Sequence, residues 1–135
     1  MRRYLCLISL ILSLILASCG GADNPTTTID VTMTDFMFQP SQFTVPAGEE
    51  ITVDTRNSGV VIHNFVIMKL GTTAGSTFDD EDEPNVYWRV EMPSGSSTTT
   101  SFTAPVEPGE YEVVCSTQGH IASGMVGKII VVAGE

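Results

Sequence analysis

Histidine and the basic residues are scarce in this chain. Two histidines, three cysteines and one tryptophan stand in 135 residues, and six lysines and arginines face sixteen aspartates and glutamates, for a formal net charge of −10. The shortage of positive charge excludes a nucleic-acid partner, because neutralising a phosphate backbone needs clustered Lys and Arg. Length excludes a second catalytic domain, since 135 residues fill one ordinary core and not two. A helical period is missing as well. Beyond the first 18 residues no stretch repeats its apolar positions at helical spacing, save at most a turn or two within residues 74 to 90.

The opening 18 residues, MRRYLCLISLILSLILAS, place Arg2 and Arg3 before an unbroken apolar run, the layout of an export signal. The run falls short of the ~20 residues of a permanent membrane helix. Leu16 to Cys19 read LASC, which resembles the lipobox of bacterial lipoprotein precursors, where the cysteine is acylated and becomes the mature N-terminus. Residues 1–18 are then a lipoprotein signal peptide and Cys19 carries the lipid. Two or three acyl chains would anchor the protein stably to the extracytoplasmic face of a bacterial membrane, on the periplasmic side or at the cell surface. The alternative is an ordinary signal cleaved near Ser18 or Gly20. With Cys6 removed and Cys19 lipidated, Cys115 is left alone, and four basic residues remain against sixteen acids. Exported domains normally use cysteine in pairs, because their compartment is oxidising, so a single Cys115 calls for another role. Residues 19–28 carry almost no apolar bulk and read as a lipidated tether; GGADNPTTT would span about 15 to 18 Å as a flexible chain.

From Ile29 the apolar positions recur every second residue. Ile29, Val31 and Met33 alternate with polar neighbours, FTVPAGEEITV gives two runs around Pro46-Ala47-Gly48, and VIHNFVIM is continuously apolar. SFTAPVEPGEYEVVC places Pro108-Gly109 between two more runs, and VGKIIVV closes the chain. The threonines of SGSSTTTSF suit a half-exposed strand, because β-branching favours a pleated surface. Residues 29–135 therefore predict an all-β, Greek-key β-sandwich of about seven to eight short strands, with sequential hairpins and Greek-key connections. Asp79, Asp80, Glu81, Asp82 and Glu83 form an acidic run inside a long connection from Met68 to about Glu91, read either as a solvated loop or as a docking patch for a basic partner.

The scarce residues gather at one place. CSTQGHIASGM puts Cys115, His120 and Met125 on one loop, at the end of the strand YEVVC and just before VGKIIVV. Gly119 and Gly124 precede His120 and Met125, so the loop can bend back tightly on itself. A thiolate, an imidazole and a thioether together favour a soft, redox-active metal, and among protein metals that combination points to copper. The other histidine, His63 in VIHNFVI, completes a trigonal site: His63, Cys115 and His120 as strong equatorial ligands, Met125 as the weak axial one. Singly, each has a plainer reading: His63 as a packed histidine, Met125 as core filler, Cys115 as a small buried hydrophobe. Met33, Met37, Met68 and Met92 read as core or surface.

With these residues in place, HNF and FTAPVEPGEYEVVCSTQGHIASGMVGKIIVV resemble the C-terminal half of a small blue copper protein, a cupredoxin, and most of all the azurin- and plastocyanin-related auracyanins, with their C-x₄-H-x₄-M ligand loop. FMFQPSQFTVPAGEEITVDTRNSG is similar to that family's N-terminal strands. The resemblance implies one type 1 copper ion on His63, Cys115, His120 and Met125, with Asn64 hydrogen-bonding across to the ligand loop. It also implies that the His120 ring edge lies near the surface among Gly59, Val60, Val61, Ile121 and Ala122, a patch suited to brief docking of redox partners. Where the family often has proline in the loop, this chain has Gln118, which fits an outward-pointing residue better than an axial ligand.

Four ligands leave no open position, so the expected function is not enzymatic but one-electron shuttling between Cu(I) and Cu(II) by a monomer. Its partners would be redox proteins such as a c-type cytochrome or a membrane electron-transfer complex. The alternative is a periplasmic copper-binding or delivery protein; a metal-free adhesive sandwich is the non-redox reading. A dinuclear copper domain would need a second cysteine where Gly119 stands, and a copper enzyme would need further histidines.

Overall fold

The computed structural model describes residues 24–134. The signal sequence and Cys19 lie outside the described residues. Nine strands follow in order: β1 Thr28–Thr34, β2 Met37–Gln39, β3 Gln42–Pro46, β4 Glu50–Asn57, β5 His63–Met68, β6 Val86–Met92, β7 Ser97–Thr103, β8 Gly109–Val114 and β9 Val126–Val132. They form two sheets, β2-β1-β4-β7 and β3-β9-β8-β5-β6, packed face to face as an all-β Greek-key sandwich.

Alternation writes most of these strands. In β4, Ile51, Val53, Thr55 and Asn57 point inward, and in β1, Ile29, Val31 and Met33 do the same. Between the sheets Phe65 is met edge-on by Phe38 and Phe43, with ring centroids 5.3 and 5.8 Å away. β5 is buried on both faces, which is why Phe65 to Met68 run apolar without alternation. Phe65 and Ile67 enter the main core, while Val66 and Met68 face a second cluster with Ala74, Val114 and Ile121.

Four expectations change. The strand count among the described residues is nine, because FMFQP holds a short strand of its own and the connection after β5 ends in another. That connection contains a single 3-10 turn, Glu83–Asn85, and β6 begins at Val86 rather than near Glu91. The acidic run masks a strand in which Trp88 and Val90 turn onto the main core and Tyr87, Arg89 and Glu91 outward, while Val86, beyond a register shift at Ile67/Met68, packs on the second cluster. The sequence neighbours β1/β2, β5/β6 and β8/β9 pair antiparallel, but parallel pairings of β1 with β4 and of β3 with β9 stand beside them. Finally, the tether enters the sheet early. The Thr26 N–H donates to the Thr44 carbonyl, and β1 starts at Thr28, since the edge of β4 offers partners there.

Candidate metal centre

β5 starts at His63 and β8 ends just before Cys115, and the two strands pair antiparallel, so both residues lie at one end of the sandwich. The segment from Cys115 to Met125 then folds as consecutive turns: the N–H of His120 donates to the Thr117 carbonyl, that of Gly124 to Ile121, and that of Met125 to His120. Gly119 and Gly124 hold φ of 82° and 94°, the left-handed region the turns require. The Cys115 N–H donates to the Met125 carbonyl, closing the loop on itself.

The side chains converge. One donor atom each from His63, Cys115 and His120 lie within 4.8 Å of one another, and all three residues are buried. The two Nδ1 atoms face each other at 3.2 Å, and Cys115 Sγ lies 3.3 Å from His120 Nδ1 and 3.8 Å from His63 Nδ1. Met125, fully buried, follows on the same closed loop. The two imidazoles and the thiol thus face one another at 3.2 to 3.8 Å with a buried thioether on the same loop, and no second cysteine among the described residues offers a disulfide. As a donor set they fit a soft metal ion. Burial first, and the charge on His63 second, hold the His120 imidazole below its ordinary value of 6.5, with Asp35 opposing, so the ring is offered in the neutral form a metal needs.

A frame surrounds the donors. The Asn64 backbone N–H points at Cys115 Sγ at 3.4 Å, and Asn64 Nδ2 donates to Thr117 Oγ1, which donates in turn to the Ile62 carbonyl. Asp35, in the β1–β2 turn, places Oδ1 3.1 Å from His63 Nε2. Phe36 sets its ring edge-on to His120, centroids 5.1 Å apart. Asn57 pins the loop ahead of His63 by donating to the Val61 and Met92 carbonyls and accepting from the Gly59 N–H. Sequence reasoning missed Asp35, Phe36 and Asn57.

The copper binding proteins of the plastocyanin/azurin family match this chain over residues 25–132. The chain belongs to that family. It is 32% identical to the copper-resistant cuproprotein CopI of Rubrivivax gelatinosus, over 83% of this chain and 70% of that protein. It is 26% identical to auracyanin-A of Chloroflexus aurantiacus, over 89% and 90%. Among solved structures, the dithionite-reduced auracyanin of Roseiflexus castenholzii superposes with a TM-score of 0.69 at 31% identity, covering 80% of this chain and 98% of that one. As a cupredoxin, the protein takes one type 1 copper ion at the cluster of His63, Cys115, His120 and Met125.

The expected surface patch is only partly where the sequence put it. Val60 is 80% exposed, and Val61, Ile62 and Ala122 are exposed too, but Ile121 is 8% exposed, because it turns inward onto Val66 and Val114. Phe36, 46% exposed, takes the place beside His120 that Ile121 was expected to fill. Gln118 is exposed. Met33, Met68 and Met92 are core and Met37 is exposed. The acidic run does not join the patch. It precedes β6, whose first residue Val86 pairs with Met68, the end of β5 remote from His63. Asp79 and Asp82 accept N–H groups of their own turn, and Glu83 pairs with Arg89.

Proposed function

We propose that the protein is an exported electron carrier, held by a lipidated Cys19 to the extracytoplasmic face of a bacterial membrane. Residues 1–18 serve as its signal peptide and the residues that follow as a short tether. Copper bound at the cluster would supply a one-electron Cu(I)/Cu(II) couple. The observation that carries the reading is the convergence of His63, Cys115 and His120, from two paired strands and one self-closed loop, with donor atoms within 4.8 Å of one another, and the buried Met125 on the same loop. A frame that fixes its ligands in advance limits rearrangement when the charge of the site changes, and four protein donors leave no position for a substrate.

Asn64 holds the ligand loop through Thr117, and its backbone N–H stabilises the Cys115 thiolate. Phe36, edge-on to His120, and the exposed Val60, Val61 and Ile62 of the loop before His63 offer apolar surface where a partner such as a c-type cytochrome would dock briefly. The acidic excess, including Asp79 to Glu83, steers basic partners from a distance rather than at that contact.

Likeness to CopI favours a second reading, copper resistance by sequestration or delivery. Two measurements separate the readings. Copper-loaded, oxidised protein should show an intense thiolate-to-copper visible band and a type 1 paramagnetic resonance signal, both absent in Cys115→Ser. Rapid electron exchange with a c-type cytochrome, weakened by Val60→Asp, supports the carrier. A blue protein that exchanges electrons slowly, and whose deletion makes cells copper-sensitive, supports resistance. A colourless protein that holds no copper overturns both.

A further inference from the structure

His63 is a fully buried ligand with two ring nitrogens and two different neighbours. Nδ1 faces His120 and Cys115, and Nε2 faces the opposite way, onto Asp35 Oδ1 at 3.1 Å. Asp35 is fixed from a second side by the Val60 N–H, 3.2 and 3.3 Å from its two carboxylate oxygens. The pairing leaves no spare room. A Cβ built on Gly59 would lie 2.4 Å from Asp35 Oδ1 and 2.5 Å from His63 Nε2, and φ at Gly59 is not in the left-handed region, so the glycine there answers to space rather than backbone conformation. Gly59 is itself held on both sides, its N–H by Asn57 Oδ1 and its carbonyl by Ser94 Oγ.

We propose that Asp35 is a positioning and charge-supplying partner of the copper ligand His63, that Gly59 is the gap which lets it reach the ring, and that the pair biases the site toward Cu(II). The imidazole that offers its Nδ1 lone pair to a metal carries its proton on Nε2, and that N–H donates to Asp35. A carboxylate acceptor fixes the tautomer and the ring orientation and raises the basicity of the metal-facing nitrogen. The added negative charge acts through a ring that is wholly shielded from water, and it favours the more highly charged copper state. Asp35 touches neither copper nor the other ligands; it acts through His63. The inference rests on the copper site and is independent of the choice between electron carriage and copper resistance.

The test compares purified wild type with Asp35→Asn, Asp35→Ala, Gly59→Ala and, as a charge control at the opposite end of the sandwich, Glu49→Gln. Reduction potentials come from spectroelectrochemical titration. In the copper-free proteins, thermal unfolding checks the fold and ¹⁵N resonances of His63 report which ring nitrogen is protonated. Asp35→Asn keeps an acceptor and removes the charge, so it should lower the preference for Cu(II) over Cu(I) about tenfold, an upward shift of about 59 mV for a one-electron couple. Asp35→Ala should shift at least as far, Gly59→Ala in the same direction, and the two together little more than either alone. Glu49→Gln should stay at the wild-type value. Wild-type potentials in folded Asp35→Asn and Gly59→Ala would overturn the proposal, as would an equal shift in Glu49→Gln. If wild type held no copper, the metal assignment would fail separately, and the His63 resonances would still decide: an Nε2–H signature lost in Asp35→Ala supports the pairing, and an unchanged one refutes it.

Discussion

Asn57→Ala measures how much of the site's rigidity is made outside the ligand loop. Asn57 is 1% exposed and its side chain makes three hydrogen bonds of 2.8 Å each, donating from Nδ2 to the Val61 and Met92 carbonyls and accepting at Oδ1 from the Gly59 N–H. Those contacts bind the end of β4, the loop before His63 and the end of β6, so one side chain ties three chain segments at the copper end. Each such bond contributes about 0.5–1.5 kcal/mol net, and alanine leaves buried partners unsatisfied, so the loss should come to about 3 kcal/mol. With a urea m-value of about 2 kcal/mol/M, the unfolding midpoint of the copper-free protein should fall by about 1.5 M at unchanged slope. Asn57→Asp sharpens the reasoning. It keeps the acceptor for Gly59 but turns a carboxylate toward two carbonyls, so it should be worse than alanine at neutral pH and recover as acid protonates it. A midpoint change below about 0.25 M for Asn57→Ala, equivalent to about 0.5 kcal/mol, would show that the loop before His63 holds its shape without Asn57 and would refute the argument.

Two further outcomes follow from groups around the same core. Thr55 is 2% exposed and its Oγ1 has no partner among the described residues, so Thr55→Val, which keeps the shape and removes the stranded hydroxyl, should raise the urea midpoint, by about 1 kcal/mol in stability; a loss of stability would mean that the hydroxyl is satisfied in solution. His120 is harder to protonate in the folded copper-free protein than in the unfolded chain, through burial first and His63 second. The unfolded state therefore binds the proton more readily, and the contribution of His120 to stability is complete above about pH 6.5 and declines as pH falls through that value. Urea midpoints taken from about pH 7.5 down to about pH 5.5 should drop more steeply in wild type than in His120→Gln, whose side chain does not titrate. Equal slopes would show that the ring is not desolvated as its surroundings imply.

What the sequence revealed and what it hid differ by how far each role depends on distant pairing. Cys115, His120 and Met125 were legible because scarce residue types at fixed spacing on one loop have few other uses, and His63 because only one other histidine existed. The inward faces of β1 and β4 were legible because a period of two survives in any sandwich. β6 was obscured by its setting rather than its pattern: Trp88, Val90 and Met92 alternate with Arg89 and Glu91, but the strand follows five acids that read as loop. The parallel pairings of β1 with β4 and β3 with β9 could not be seen, since the local pattern of a strand does not name its neighbour. Ile121 was placed outside by its loop, yet a cluster on the far side of β5 draws it in. Asp35, Gly59 and Asn57 lie deepest in this class. Aspartate, glycine and asparagine are ordinary turn residues, and TMTDFMF and TRNSGVV read as turns. Only when β1 and β4 lie side by side does the β1–β2 turn meet the loop before His63, and then three common residues become the frame of a copper ligand. Ligand chemistry can thus be read from rare residues along the chain, whereas the frame that orients the ligands is specified by topology.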